Sequence, residues 1–281
     1  MELKSLLGLL DKSEGFGRLM ERLQSGVVVS APGPLRPYLA AGIAARSGRP
    51  VLVVTSRPAD AERFTRDAKA FFASTHLLPS PEVLPHEPVS PSAARVGKEF
   101  EALHALSSEG GTLVVAPVAA VLRKIPGQKW GLHLPIEVRK GADEDFTSLC
   151  LRLAQLGYRR TSLVEERGEF AVRGGIIDIF PSASEHPVRI EFFGDEIESI
   201  RTFHAGTQLA LEELSRASIY ACREVVADAE SLSKAADALS KIPWFAEEAG
   251  QLRGGMMFEG IERFAPLIYS EMATPIDYLR K

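Results

Sequence analysis

Cysteine is nearly missing from this chain: 281 residues contain two, Cys150 and Cys222. They lie far apart and form neither a CxxC pair nor a zinc-ligand spacing. That excludes a disulfide framework and a zinc module, and points to a reduced, cytoplasmic setting. Long apolar runs are missing too. None reaches the roughly 20 residues a membrane span needs. The opening MELKSLLGLLDKSEGFGRL reads as a short amphipathic helix, and Asp11 and Glu14 follow its apolar part with no cleavage-site pattern, which argues against a signal peptide. Positive charge is not in excess. A net charge of -4 removes the global electrostatic case for tight nucleic-acid binding. Arg123-Lys124 to Lys129 is a short basic cluster and reads as a solvated loop. The six histidines show no HExxH or similar ligand spacing, and no GxSxG elbow occurs. No metal and no cofactor is expected.

What is present is globular. Hydrophobic residues make up 45%, and the length suggests two domains. The expected division is 1–127, 128–210 and 211–281, the last part packing back on the first. In the first segment Val27-Val28-Val29, Val51 to Val54 and Leu113-Val114-Val115 are short continuous apolar runs. Such runs suit strands buried on both faces, as in a parallel sheet. Helical patterns separate them at Tyr38 to Arg46, Ala59 to Phe72 and Ser92 to Leu106, so the class is doubly wound α/β. Between Pro79 and Pro91 runs a stiff, proline-rich crossing. Ligands of such sheets sit at the carboxyl ends of the strands. A phosphate loop there would read GxxxxGK[ST]. The chain instead reads Ser30-Ala31-Pro32-Gly33-Pro34-Leu35-Arg36-Pro37, with three prolines that donate no N–H and no Lys-Thr pair. The expectation is a loop that holds no nucleotide.

The second segment alternates at period two. Leu132 to Val138 reads as a strand, Asp143 as the cap of a helix ended by Gly157, and Tyr158 to Glu165 as another strand. Gly194-Asp195 fits a two-residue hairpin between strands 188–193 and 196–203. In Val188-Arg189-Ile190-Glu191-Phe192-Phe193 the apolar face is Val188, Ile190 and Phe192. Arg189, Glu191 and Phe193 share the other face, and Arg173 extends that face from the preceding strand. An aromatic beside arginines on a polar face has no packing reason in its own strand, and both residue types are favoured at interface hot spots. The competing reading is bland: Arg173 and Arg189 pair with Glu169, Glu191 or Glu198, and Phe193 packs under a loop. Asp178, in the apolar Ile176 to Phe180 run, is either a perturbed acid or a hydrogen-bonded structural carboxylate. The last segment reads as a strand from Ala217 to Val226, a helix from Asp228 to Leu239, and an apolar tail.

GEFAVRGGIIDIFP followed by HPVRIEFFGDEIESIR resembles the damage-handling module shared by the bacterial excinuclease protein UvrB and the transcription-repair-coupling factors. The surrounding chain separates the two. UvrB keeps its phosphate loop and a tyrosine-rich hairpin, whereas LPSPEVLPHEPVSPSAARVGKEFEAL and FEGIERFAPLIY resemble the N-terminal part of the coupling factors. The resemblance implies a degenerate P-loop domain of the RecA or helicase-like kind, lacking its phosphate loop, with an inserted α+β module. It implies a non-catalytic fragment that recruits the excinuclease protein UvrA in transcription-coupled nucleotide excision repair, through the positions matching Arg173, Arg189 and Phe193. It further implies that an RNA-polymerase-binding domain, a DNA-translocating ATPase and a C-terminal domain masking the docking face lie beyond residue 281. Two other classes remain open: an ATP-dependent, UvrB-like enzyme, opposed by the missing lysine, and a DNA-binding domain, opposed by the acidic balance.

Overall fold

A computed structural model describes residues 3–84 and 86–279. The chain divides into two compact units, one of residues 1–81, 102–123 and 274–281, the other of residues 82–101 and 124–273. This partition differs from the expected 1–127, 128–210 and 211–281: residues 211–273 group with the alternating-strand module, and only 274–281 with the first unit.

The first unit holds α1 (Glu14–Arg22), α2 (Leu35–Ser47), β1 (Pro50–Thr55), α3 (Pro58–Lys69) and β2 (Thr75–Leu77). After α4 (Ala93–Ser107), which spans the boundary at residue 101, come β3 (Thr112–Pro117) and the single turn α5 (Val118–Val121). The sheet is parallel, in the order β1-β3-β2. The central β3 is buried along its whole length, as its unbroken apolar run requires. Pro58 opens α3, and a left-handed Gly48 closes α2. The expected strand at Val27–Val29 does not form. β1 is the edge of the sheet, and Val28 is 99% exposed. Without a neighbouring strand, β-branched propensity alone does not build one.

The second unit contains β4 (Ile125–Pro126), β5 (Ile136–Arg139), α6 (Phe146–Gln155), β6 (Arg159–Arg160), β7 (Glu169–Arg173), β8 (Ile176–Ile179), β9 (Val188–Phe193), β10 (Glu196–Phe203), β11 (Ala210–Glu213) and β12 (Arg216–Ile219). Then follow α7 (Ala229–Leu239), α8 (Ala246–Arg253), the turn α9 (Ala265–Ile268) and β13 (Met272–Ala273). The main sheet runs β11-β10-β9-β8-β7-β6, antiparallel except for the β6–β7 pair. β5 and β12 form a separate ribbon, as do β4 and β13. The inner face of the main sheet, with Phe170, Ile177, Ile179, Val188, Ile190 and Ile200, packs against Leu149 and Leu153 of α6. Both leucines are fully buried, each a contribution of about 1.5–3 kcal/mol by transfer. Gly97 on α4 is needed for close approach, since a Cβ there would lie 2.4 Å from the Ser182 carbonyl carbon.

Several sequence expectations shift here. Asp145, not Asp143, caps α6, its carboxylate accepting from the Ser148 amide. Asp143 is held extended by a bridge to Glu196, and the Glu144 amide donates to Asp195. The expected strand Tyr158 to Glu165 shrinks to Arg159–Arg160, because the chain then leaves the sheet to bury Val164 in a satellite cluster. The strand expected at Ala217 to Val226 stops at Ile219, where the Tyr220 carbonyl takes bonds from the Tyr158 and Ser182 hydroxyls instead of a ladder partner. The strand expected from Leu132 begins only at Ile136, after a turn on left-handed Gly131.

Candidate functional site

Along β9 the side chains alternate as period two demands. Val188 and Ile190 are buried inward, and Phe192 follows them, meeting Phe146 edge-on with ring centroids 5.1 Å apart. Phe193 therefore turns outward at the hairpin tip, where it is 79% exposed. Gly194 makes the hairpin turn with φ +63, a conformation that a side chain would strain. On the same outward face the register sets Arg173 opposite Ile176, Ile176 opposite Glu191, and Glu191 opposite Ser199. Arg173 is exposed, and its guanidinium donates to the Ser162 carbonyl at 3.2 Å.

Arg189 is different. Pairing opposite Asp178, it donates from Nε and Nη2 to both carboxylate oxygens at 2.6 and 2.9 Å. Asp178 is 2% exposed. The guanidinium lies over the Phe203 ring, 4.7 Å from its centroid, and Asp178 holds the Arg189 pKa above the ordinary arginine value. The expectation that Arg189 stands open beside Arg173 and Phe193 is thus corrected: the structure leaves two of the three exposed and folds Arg189 into a half-buried ion pair. The reason is a carboxylate on the next strand that must be neutralised once buried. The bland reading named the wrong partners, Glu169, Glu191 or Glu198. Glu191 instead takes Arg201 at 2.7 Å and the Ser199 hydroxyl at 2.7 Å. Glu169 takes Arg159 at 2.6 Å and the amides of Glu165 and Glu166, both at 2.9 Å. Burial opposes the Glu169 charge, but those amides and Arg159 outweigh it and keep the carboxyl below its ordinary range.

Sequence reasoning also missed Ile176 and Arg201 as members of this face, and Gln208 as its clamp. Gln208 is the one described non-glycine residue at positive φ, 61°. Its amide group donates to the Ala205 carbonyl at 2.6 Å, and its oxygen lies 3.4 Å from Arg189 Nη2. Alternation gives the faces, but the register across the 180–187 connection decides which residues meet.

A second site lies in the first unit, at the carboxyl end of β1. A cavity of about 780 Å³ is lined there by Gly33, Arg36, Thr55, Ser56, Asp60 and Arg63 among others. The arginines of that lining, Arg36 and Arg63, each make a local bond. Arg36 donates to the Ala31 carbonyl at 3.1 Å, and Arg57 and Arg63 both bind Asp60 at 2.9 Å. Among the described residues no His, Cys, Asp and Glu cluster could hold a metal ion, and no helix is long and apolar enough to cross a membrane.

Residues 136–224 match the family described as UvrB interaction domain. The chain is 32% identical over 276 residues to the transcription-repair-coupling factor of Mycobacterium tuberculosis, covering 91% of this chain and 22% of that protein. It is 31% identical over 219 residues to that of Bacillus subtilis, covering 77% and 19%, and 29% identical over 248 residues to that of Escherichia coli, covering 85% and 21%. The chain therefore spans about a fifth of the length of the curated relatives it matches.

Proposed function

We propose, from the chain's kinship with the N-terminal region of bacterial transcription-repair-coupling factors and with UvrB, that residues 128–210 are a non-catalytic docking module for the excinuclease protein UvrA. One observation carries the reading: within the matched segment, Phe193 stands 79% exposed at the tip of a sheet face that also carries Arg173. A large aromatic exposed on the same face as an arginine is the pairing that interface hot spots favour. Phe193 supplies the apolar anchor. Arg173, tethered by one long bond, is free to form charge-assisted hydrogen bonds to carboxylates or carbonyls of the partner.

In this reading the first unit is a degenerate helicase-like domain that serves as scaffold. The whole protein contacts RNA polymerase and translocates on DNA through parts beyond this chain, acts in the cytoplasm in transcription-coupled repair, and masks the docking face with its own C-terminal domain until recruited. The test is titration of this chain against UvrA by calorimetry. Phe193→Ala should cost about 2 kcal/mol or more, roughly thirtyfold in affinity, with the unfolding midpoint unchanged. Normal binding by both Phe193→Ala and Arg173→Ala would place docking elsewhere.

A further inference from the structure

Arg189 is gripped from three directions. The buried Asp178 fixes its Nε edge with two bonds, at 2.6 and 2.9 Å. The Phe203 ring supports one side of its plane at 4.7 Å, and Gln208 closes on Nη2 at 3.4 Å. Gln208 reaches that position only through a left-handed backbone, φ 61°. A non-glycine residue held there stores strain that the surroundings must offset, and such outliers gather where geometry serves function. The bonds to Asp178 and Gln208 use Nε and Nη2, so among the described residues the Nη1 edge takes no partner and is left for another acceptor. The side chain keeps 21% of its surface open.

We propose that Asp178 is a positioning residue for docking: it acts through Arg189, presenting the guanidinium in one fixed plane so that Nη1 meets an acceptor of the partner without first being ordered. This rests on the docking reading above. An arginine oriented beforehand loses little rotamer freedom on binding, and that saving appears as affinity. Arg173, with its single bond, has no such preparation. The two cations of the face therefore differ in kind, one adaptable and one fixed.

The test is a double-mutant cycle read as affinity for UvrA, with the unfolding midpoint recorded for every variant. Asp178→Asn keeps the size of the side chain but cannot accept both N–H groups. It should weaken binding about tenfold or more. In an Arg189→Ala background the same change should add less than about twofold, because its route is gone. Arg189→Lys keeps the charge without the fork and should lose about as much as Asp178→Asn. Gln208→Gly relieves the strain of the left-handed position and removes the third grip, and should weaken binding while sparing the fold. Should Asp178→Asn not fold, Arg189→Lys decides the matter: it keeps the charge beside Asp178 but loses the fixed fork, and normal binding by it overturns the positioning role. Unchanged affinity in Asp178→Asn, or an equal loss with Arg189 absent, overturns the positioning role. So does normal binding by Arg189→Ala while Phe193→Ala binds weakly, a result that leaves the docking reading standing. If Arg173→Ala, Arg189→Ala and Phe193→Ala all bind normally, both fall.

Discussion

Phe192 and Phe193 are adjacent and chemically identical, yet one packs against Phe146 and the other stands in solvent. Alternation alone separates them, and it was legible in the sequence. The fate of Arg189 was not. Its strand position is set by period two, but its partner depends on a register that places Asp178 opposite it. Removing Arg189 strands a buried carboxylate, so Arg189→Ala should lower the unfolding midpoint clearly while Phe193→Ala does not; thermal unfolding of both variants checks this. A second residue-scale outcome concerns Glu169, whose carboxyl is held below its ordinary value of 4.5. A depressed folded pKa contributes stability that is present above the unfolded value and lost as pH falls through the folded one. Glu169→Gln should therefore unfold at a lower temperature than the parent at pH 7, and the gap should narrow steadily below pH 4.5. A gap independent of pH would mean that the side chain acts through shape and not through charge.

At the scale of elements, helices and the β9–β10 hairpin were readable from periodicity, capping residues and the Gly194 turn. The short strands were not, because each ends where a tertiary bond captures the backbone. Residues 161–165 leave the sheet for Val164 and Glu169, and residues 220–222 leave it for Tyr158 and Ser182. The cap of α6 shows the same lesson at one position. Aspartates at 143 and 145 look alike in the sequence, but only Asp145 reaches the amide three residues on. Asp145→Ala should cost about 1 kcal/mol, and Asp143→Ala less than about 0.5 kcal/mol; urea unfolding separates them. Gly97→Ala is expected to cost more than either, because its methyl group meets the Ser182 backbone, which has no rotamer with which to yield.

For the whole molecule, the question is whether the parallel-sheet unit retains the chemistry its architecture could support. The cavity at the carboxyl end of β1 has the volume for a ligand of nucleotide size, about 780 Å³. Volume is not the limiting property. A phosphate cradle consists of backbone amides aimed inward with a lysine on the terminal phosphates, and Pro32, Pro34 and Pro37 remove three such amides from the loop that would form it. The Leu35 and Arg36 amides are spent on the Pro32 and Gly33 carbonyls as α2 begins. Arg36 donates one bond to its own loop, and Arg57 and Arg63 share the single carboxylate of Asp60. A site occupied at one hundred times its dissociation constant would stabilise the fold by about 2.7 kcal/mol, several degrees in a protein of this size. The expected outcome is that millimolar MgATP leaves the unfolding midpoint unmoved and that phosphate release does not rise above the blank. Turnover above the blank that Arg36→Ala abolishes would show the opposite: that this unit is an ATP-using relative of UvrB and not a scaffold for the docking face.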